Sequence, residues 1–348
     1  MISEVDGRLI KLTNLDKAMW KDPLVTKGDL IHYYYKVAPL LIPHLKDRPL
    51  TVTRYPDGID GAHFYQKQCP AYAPRWVRTY ASPGKDKVVD YILANDRATL
   101  VWLANQGAIE LHPWLSKIES PDYPDLVVVD LDPDPPAGWP QVVEVAKLVK
   151  GLLDEMGLAS FPKTSGATGM HVYIPVAPRY PYQVTSRFVG FLGKLIAAHH
   201  PQLATNERLI RKRRGRVYID HLQNLPGKTI VAPYSLRPRS LPTISMPLRV
   251  TSGRGFVSVP TSSDPRPTCT FRPSRSTRST PRELRTPSSR PISPAAVPAR
   301  ARGTPPASPW RRPGRPPPGS APAPAPSTSL PSPRKAAMSN VVVLGSAN

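Results

Sequence analysis

Proline is distributed unevenly along this chain of 348 residues, and the distribution limits how much of the chain can build a hydrophobic core. Residues 241–348 contain 23 of the 46 prolines, together with 16 Lys+Arg and 2 Asp+Glu. Proline interrupts both helices and sheet ladders, and no apolar periodicity is visible in this part of the sequence. We therefore predict a folded domain over residues 1–248 and a disordered tail rich in Pro, Arg and Ser over residues 249–348.

The formal net charge of +22 points to a polyanionic partner, most often nucleic acid. Residues 241–348 contribute +14 of this charge, and residues 1–240 contribute +8. Cys69 and Cys269 are too few for a disulfide framework or a Cys-based zinc site. The acidic amino terminus lacks a signal-peptide core, and no apolar run reaches the roughly 18 residues that span a bilayer. We expect a soluble cytoplasmic protein that does not bind membranes.

The first 240 residues carry the periodicities of an α/β domain. Thr26 and Asp29 fit a capping box that starts a helix with apolar residues at helical spacing. Two further helices are predicted over residues 141–156, with Gly157 as the stop signal, and within residues 182–199. Short apolar segments predict strands over residues 126–129, 170–176, 216–221 and 229–232. This alternation predicts a sheet with helices on one or both faces.

Asp130 and Asp132 follow the predicted strand over residues 126–129. Side chains alternate along a strand, so both carboxylates project from one face while Leu131 points to the other. A hard divalent cation such as Mg²⁺ or Mn²⁺ would relieve their mutual repulsion, because these ions prefer oxygen ligands. The alternative interpretation is that the strand simply runs out into an Asp-Pro turn.

A loop with two glycines, KTSGATGMH over residues 163–171, leads into the next predicted strand. Successive backbone N–H groups in such a loop can cradle phosphate, and Ser165, Thr168, Lys163 and His171 add hydroxyl groups and donors. The segment is not a Walker A motif, because GxxxxGK[ST] is absent. The alternative is a connecting loop without a ligand.

Six basic residues cluster between Arg208 and Arg216, directly before a predicted strand that contains Asp220. The functional interpretation is that the cluster neutralises phosphates while Asp220 joins Asp130 and Asp132. The alternative is a solvated basic turn. Together, three carboxylates at strand ends, a phosphate-type loop and a basic approach are what nucleotidyl transfer by two metal ions requires.

Nine segments, in this order, resemble the polymerase domain of bacterial ATP-dependent DNA ligase D, a member of the archaeo-eukaryotic primase superfamily. They lie between about residue 9 and residue 248 and read LTNLDKAMW, TKGDLIHYY, RPLTVTRYPDGIDG, FYQK, ANQGAIELHPW, VVVDLDP, FPKTSGATGMHVYIP, VYIDHLQN and KTIVAPYSLRPR. The resemblance implies an α/β primase-polymerase core with an RRM-like catalytic sheet, followed here by the disordered tail.

The resemblance also implies roles for individual residues. The catalytic, metal-binding carboxylates would be Asp130, Asp132 and Asp220. The nucleotide-binding residues would be His112, Ser165, Gly169, His171, Arg213 and Arg237. The DNA-binding residues would be Asn14, Lys17 and Lys27, which grip the downstream 5′-phosphate of a gap, and Phe64 and Tyr65, which stack on template bases.

The implied function is a template-dependent, gap-filling and end-extending polymerase of bacterial non-homologous end joining, with a two-metal mechanism that uses Mn²⁺ or Mg²⁺. Its substrates would be nucleoside triphosphates and DNA with gaps or broken ends that carry a 5′-phosphate. Its partners would be Ku and a DNA ligase, and it would act in the cytoplasm at the nucleoid. Two alternatives stay open: a stand-alone primase or lesion-bypass polymerase, and an inactive module that binds nucleic-acid ends.

The sequence departs from the family in three places. Thr168 stands where many members have Lys, which removes a charge and predicts weaker triphosphate affinity unless Lys163 or Lys228 compensates.

The chain has no room for ligase and nuclease domains, so we expect a stand-alone polymerase module or a fragment. After about Leu248 the family's short folded end is replaced by the Pro-rich tail, and we hypothesise a shift of the reading frame. Plausible codons for residues 258–265, read one base earlier, encode Arg-Pro-Asp-Glu-Phe-Arg-Pro, which is similar to a family segment.

Overall fold

A computed structural model of the chain describes residues 1–84, 86–251 and 255–258, all of which lie in one compact unit. The elements of the first part are β1 (Ile2–Val5), β2 (Arg8–Lys11), β3 (Ala18–Lys21), β4 (Leu24–Thr26), α1 (Lys27–Leu45), β5 (Leu50–Arg54), β6 (Phe64–Gln66), β7 (Thr79–Pro83), β8 (Val88–Ile92), α2 (Arg97–Asn105) and β9 (Ala108–Pro113).

The elements of the second part follow directly along the chain. They are β10 (Leu126–Pro133), α3 (Trp139–Glu155), β11 (Phe161–Thr164), β12 (Met170–Pro175), α4 (Tyr182–His199), β13 (Ala204–Thr205), α5 (Ile210–Arg213), β14 (Val217–Asp220), β15 (Leu236–Arg237), β16 (Thr243–Ile244), β17 (Leu248–Thr251) and β18 (Gly255–Ser258). None of the helices in the described ranges is long and apolar enough to cross a membrane.

Helix α1 begins at the predicted capping box. The Thr26 hydroxyl accepts a hydrogen bond from the Asp29 amide at 3.2 Å, and the Asp29 carboxylate accepts one from the Thr26 amide at 2.9 Å. This exchange satisfies two groups at the helix start that have no partner within the helix. The buried face of α1 then carries the predicted apolar positions, among them Leu30, Tyr34 and Leu41.

The first core lies between α1, α2 and a mixed set of strands. Strands β6, β5, β8 and β7 form a sheet in that order, and β9 also pairs with β5. The core includes Trp20, Tyr34 and Leu50, all almost completely buried. It also includes Leu236 and Met246 from the far end of the described chain, so late residues complete a core that early residues begin.

The second core lies on one face of a five-stranded sheet with the strand order β11-β12-β10-β14-β13. Neighbouring strands are antiparallel except for β13 and β14. Val127, Val129 and Leu131 alternate along β10 and pack in the same apolar cluster as residues of α3 and α4. Because strand side chains alternate, Asp130 and Asp132 project from the other face of this sheet.

Several expectations can be compared directly with this architecture. The predicted α/β fold is confirmed, α4 spans 182–199 as predicted, and Gly157 follows the end of α3 with φ +68°. The strand predicted over residues 229–232 is wrong: Thr229 forms an isolated bridge with Trp114, and the Ile230 and Ala232 amides bond to Pro113 and Leu111, but no continuous strand results. Strands β17 and β18 pair with each other just beyond residue 248, where the tail was predicted to begin. The predicted boundary between domain and tail at residue 248 stays a prediction. Most of the predicted tail, residues 252–254 and 259–348, lies outside the described residues.

Candidate active site

A row of ionisable residues crosses the sheet on the face opposite the second core. Asp130 in β10 is the register partner of Asp220 in β14 and of His171 in β12. His171 is in turn the partner of Lys163 in β11. Partners in antiparallel strands place their side chains on the same face, with Cβ atoms about 5 Å apart. The register therefore brings Asp130 and Asp220 together, as the sequence predicts, and places His171 and Lys163 in the same row, which the sequence did not predict.

We call Asp130, Asp132 and Asp220 the carboxylate cluster. Asp130 is 5% exposed, and its Oδ1 atom has no hydrogen-bond partner among the described residues. Burial raises the pKa of Asp130, and the neighbouring Asp132 and Asp220 raise it further. Burial also raises the pKa of Asp132, with Asp220 adding to the shift and the Arg213 guanidinium opposing it. The cluster therefore carries more negative charge than its own surroundings stabilise.

This excess of negative charge fits a divalent cation in its chemistry. A buried carboxylate oxygen without a partner and three oxygen-donor side chains are the ligand type that Mg²⁺ and Mn²⁺ take. Asp220 is already partly engaged, since its Oδ1 accepts hydrogen bonds from the Tyr218 hydroxyl at 3.1 Å and the Leu222 amide at 2.7 Å. In the described part of the chain no three His, Cys, Asp or Glu side chains converge closely enough to hold an ion as they stand. Metal binding at these residues stays a prediction.

The glycine-containing loop between β11 and β12 is closed by Ser165. Its hydroxyl oxygen accepts hydrogen bonds from the amides of Ala167 and Gly169, both at 3.1 Å. Gly169 crosses the β10 backbone so closely that a Cβ atom would lie 2.2 Å from the Leu131 carbonyl oxygen. Glycine is therefore required here for packing against β10, and two loop amides are directed inwards to Ser165. Direct nucleotide contacts by Ser165 and Gly169 stay predictions.

Two predicted nucleotide-binding residues, His112 and Arg237, meet at a buried carboxylate that sequence analysis missed. Glu110 Oε1 lies 2.7 Å from Arg237 Nε, and Glu110 Oε2 lies 3.5 Å from His112 Nε2. Burial alone would raise the pKa of Glu110, but the hydrogen bond and charge of His112 and the charge of Arg237 outweigh it and lower that pKa. Glu110 precedes His112 by two residues on β9, so strand alternation in the sequence could have indicated their common face.

Arg237 also reaches the loop of the second sheet. Its Nη1 donates a hydrogen bond to the Ser165 carbonyl oxygen at 3.3 Å. The Gly166 backbone, with φ +73°, packs so tightly that a Cβ atom would lie 2.7 Å from Arg237 Cγ. Arg237 thus connects Glu110 of β9 with the loop that precedes His171.

The basic segment before β14 divides into two kinds of residue. The Arg213 guanidinium lies 4.1 Å from the Tyr218 ring centroid and acts on the pKa of Asp132, so it borders the carboxylate cluster. Arg216 instead donates hydrogen bonds to the carbonyl oxygens of Arg213, Pro201 and Lys212. Arg216 therefore stabilises the turn, and Arg213 is the better placed of the two to meet a phosphate.

Asn14, Lys17 and Lys27 lie together at the start of α1, and we call them the amino-terminal cluster. Lys27 is 6% exposed, and its Nζ donates hydrogen bonds to Thr13 Oγ1 at 3.1 Å and to the Asn105 carbonyl oxygen at 3.0 Å. The Lys27 amide bonds to the Lys17 carbonyl oxygen at 2.8 Å, and the Lys17 amide bonds to the Asn14 carbonyl oxygen at 3.1 Å. Burial lowers the pKa of Lys27, and the charge of Lys17 lowers it further.

Phe64 and Tyr65, the predicted stacking pair, lie on β6 and are 45% and 69% exposed. The Arg54 guanidinium stands 5.3 Å from the Phe64 ring centroid. The Tyr65 ring lies 6.3 Å from the His112 ring, centroid to centroid. The aromatic pair is therefore open to solvent and adjoins the His112 side of the site, although base stacking by it stays a prediction.

This fold is that of a primase-polymerase domain. The family model "LigD, primase-polymerase domain" matches residues 26–252, and the chain belongs to that family. The chain is similar to a solved "Polymerase Domain from Mycobacterium tuberculosis Ligase D in complex with DNA". The TM-score is 0.65 and the identity 32%, and the match covers 68% of this chain and 86% of that one.

Two curated relatives carry the same family name. The "Bifunctional non-homologous end joining protein LigD" of Bacillus subtilis (strain 168) is 39% identical over 240 residues, which cover 69% of this chain and 38% of the relative. The "Multifunctional non-homologous end joining protein LigD" of Mycolicibacterium smegmatis is 33% identical over 244 residues, which cover 68% of this chain and 32% of the relative. The chain thus spans about a third of the length of these relatives.

Proposed function

We propose that this protein is a template-dependent polymerase that fills gaps and extends broken ends of DNA in non-homologous end joining. The observation that carries the proposal is the carboxylate cluster, in which Asp130 lies between His171 and Asp220 and its buried Oδ1 has no hydrogen-bond partner within the described part of the chain. Membership of the LigD primase-polymerase family supports the chemistry, and the relatives' names support the repair context.

In the proposed reaction the 3′-hydroxyl oxygen of a primer attacks the α-phosphorus of an incoming nucleoside triphosphate. A new O–P bond forms, the bond from the α-phosphorus to the bridging oxygen breaks, pyrophosphate leaves and the hydroxyl proton passes to solvent. Metal dependence is general in this family, and Asp130, Asp132 and Asp220 would hold Mn²⁺ or Mg²⁺. Such an ion supplies positive charge at the α-phosphate and lowers the pKa of the primer hydroxyl.

The remaining residues bind and orient the substrates. Arg213 and Arg237 would hold triphosphate oxygens in line for the transfer, because guanidinium groups suit bidentate contact with phosphate. His112, His171 and the loop containing Ser165 and Gly169 would line the nucleotide. Arg237 already touches that loop, which supports a pocket formed from both sheets.

The DNA would be held on the side that carries the amino-terminal cluster and the aromatic pair. Asn14, Lys17 and Lys27 would bind the downstream 5′-phosphate of a gap. Phe64 and Tyr65 would stack on template bases without sequence preference. Ku and a DNA ligase are the proposed partners, and action on chromosomal breaks would place the protein in the cytoplasm at the nucleoid.

A primer-extension assay tests this function. The full chain is incubated with a gapped duplex whose downstream strand carries either a 5′-phosphate or a 5′-hydroxyl, with ribo- or deoxynucleotides, and with Mn²⁺, Mg²⁺ or EDTA. We expect metal-dependent, templated incorporation that is stronger with the 5′-phosphate. Binding without incorporation would instead identify an end-binding module. Dinucleotide synthesis on an unprimed single strand, without a preference for gaps, would identify a priming enzyme.

A further inference from the structure

Lys163 is a buried lysine next to the carboxylate cluster, and neither the family resemblance nor its sequence context assigns it a definite role. Its side chain is 2% exposed, which is rare for lysine unless a partner compensates. Its Nζ lies 2.6 Å from Ser245 Oγ and 2.7 Å from His171 Nδ1. Lys163 therefore contacts His171, which lies between Lys163 and Asp130 in the row of side chains across the sheet.

The directions of these hydrogen bonds follow from their neighbours. The Ser245 hydroxyl donates to the Thr164 carbonyl oxygen at 2.8 Å, so its oxygen accepts from Lys163. In its ammonium form Lys163 has three donors and no acceptor, so in that form Nδ1 of His171 accepts as well. A neutral imidazole whose Nδ1 accepts carries its proton on Nε2.

A proton on Nε2 faces the one oxygen of Asp130 that lacks a hydrogen bond among the described residues. His171 Nε2 lies 3.4 Å from Asp130 Oδ1, the buried oxygen without a hydrogen-bond partner among the described residues. With the proton on Nε2, the donor nitrogen of the imidazole lies beside this oxygen, although the two do not form a hydrogen bond in the present geometry. With the proton on Nδ1, it would present a lone pair to the carboxylate, which is repulsive.

We propose that Lys163 is a positioning residue that fixes His171 in its Nε2–H form and thereby orients the Asp130 carboxylate. Lys163 acts through His171, in the way that outer hydrogen-bond partners fix the tautomer and orientation of functional histidines. Its kinetic consequence rests on the proposed polymerase function, whereas the tautomer of His171 does not.

Two simpler accounts of Lys163 make different predictions. One is a purely structural role, in which the ammonium only joins β11 to Ser245 and packs 5.4 Å from the Tyr173 ring centroid. The other is a neutral amine that accepts a hydrogen bond from Nδ1–H. Burial lowers the pKa of Lys163 well below its ordinary value, the Asp130 charge opposes that shift and the Arg237 charge adds to it, so the protonation of Lys163 is the physical quantity at issue. Only the ammonium form requires the Nε2–H tautomer.

The experiment is a tautomer measurement on the full, metal-free chain labelled with ¹⁵N-histidine. Long-range proton–nitrogen NMR correlations distinguish a protonated ring nitrogen from an unprotonated one. The chain has 8 His, so His171→Gln identifies the signals of interest. Lys163→Met removes the ammonium at similar length, and Ser245→Ala is the matched control that removes one partner of Lys163 and keeps its charge.

We expect Nε2–H in the wild type and in Ser245→Ala, and loss of this single tautomer in Lys163→Met. In the extension assay Lys163→Met should lower kcat about 10- to 100-fold, with a much smaller change in nucleotide KM. An Nδ1–H signal in the wild type, or an unchanged tautomer in folded Lys163→Met, overturns the proposal. If Lys163→Met does not fold, the wild-type tautomer decides. An Nε2–H wild type without polymerase activity would contradict the proposed function and leave this assignment standing.

Discussion

The carboxylate cluster and the amino-terminal cluster both bury charged side chains, but they differ in whether the buried charge has hydrogen-bond partners within the fold. Lys27 has two oxygen acceptors within 3.1 Å, so its ammonium is satisfied by the fold itself. Asp130 leaves Oδ1 without a hydrogen bond among the described residues, and two further carboxylates stand beside it. The first cluster satisfies its buried charge within the fold, whereas the second keeps raised carboxyl pKa values despite the neighbouring Lys163 and Arg213 and would gain stability from a further positive charge.

This difference suggests separate roles for the two clusters, with DNA recognition at one and metal binding at the other. A preformed lysine pair can bind an anionic end repeatedly without a change in local structure, which suits recognition of DNA. A cluster of repelling carboxylates gains stability from a cation, which couples metal binding to the chemistry. The comparison can be tested by changing one charged residue in each cluster and by measuring stability against pH.

The largest effect is expected from Asp132→Ala. Removal of this carboxylate should abolish extension of a gapped, 5′-phosphorylated template in Mn²⁺, with a loss of at least about 10²–10³-fold. Steady-state rates of purified protein measure it. The matched control is Asp154→Ala, which removes an exposed carboxylate of α3 that pairs only with Lys150 in the described structure. Extension by Asp132→Ala at a rate near that of the control would refute the assignment.

A smaller effect is expected from Lys17→Ala. Its Nζ bonds to the Asp57 carboxylate at 3.0 Å and to the Pro56 carbonyl oxygen at 3.1 Å. Loss of one charge-assisted hydrogen bond to phosphate costs about 1.5 kcal/mol, so the preference for a 5′-phosphate should fall about tenfold. Extension of a primer without a downstream strand should stay largely intact.

The control for Lys17→Ala is Lys21→Ala, because Lys21 forms a similar exposed ion pair with Asp60 at 3.1 Å and lies outside the amino-terminal cluster. Competition between 5′-phosphorylated and 5′-hydroxyl gaps measures the preference. An equal loss in both variants would mean that general positive charge, and not this cluster, attracts the DNA.

The smallest effect is expected on stability, from Asp130→Asn in the absence of metal. A carboxyl whose pKa is raised in the folded state contributes stability at acid pH and loses it as the pH rises through the raised pKa. The variant should therefore match the wild type near pH 3.8, the ordinary pKa of Asp, and exceed it toward neutral pH. A gain of 1 kcal/mol corresponds to about 2–4 °C in Tm for a domain of this size.

Thermal unfolding in EDTA at several pH values measures this effect, with Asp122→Asn as the control for an exposed carboxylate. Added Mn²⁺ should stabilise the wild type more than Asp130→Asn. A difference between the two proteins that does not change with pH would show that packing, not charge, is responsible.

Features set by neighbours along the chain could be predicted from the sequence. The capping box at Thr26 and Asp29 involves residues three apart, and it is confirmed. The alternation that puts Asp130 and Asp132 on one face also depends only on the strand, which continues through Pro133. The segment over residues 229–232 has a strand-like composition and runs beside β9, but it forms only scattered hydrogen bonds there and no strand, which composition does not reveal.

Features set by register and distant contacts could not be predicted in this way. Lys163 was recognised as a loop donor, but its burial depends on the pairing of β11 with β12 and on Ser245, 82 residues further along the chain. Arg237 was identified through the family resemblance, yet its ion pair with Glu110 joins residues of different sheets. Glu110 itself was within reach, because its spacing from His112 on β9 is local.

The segment from Ala232 to Met246 packs against the start of the chain, and this affects how the protein folds during synthesis. Ala232, Tyr234, Leu236, Ile244 and Met246 all enter the core that α1 begins. On the ribosome, that core therefore stays open until nearly the whole polymerase region has emerged. A nascent chain that ends before Ala232 lacks all five of these core residues and Ser245, so the core that α1 begins stays incomplete. The first core is therefore one unit of synthesis, completed only when its last residues emerge.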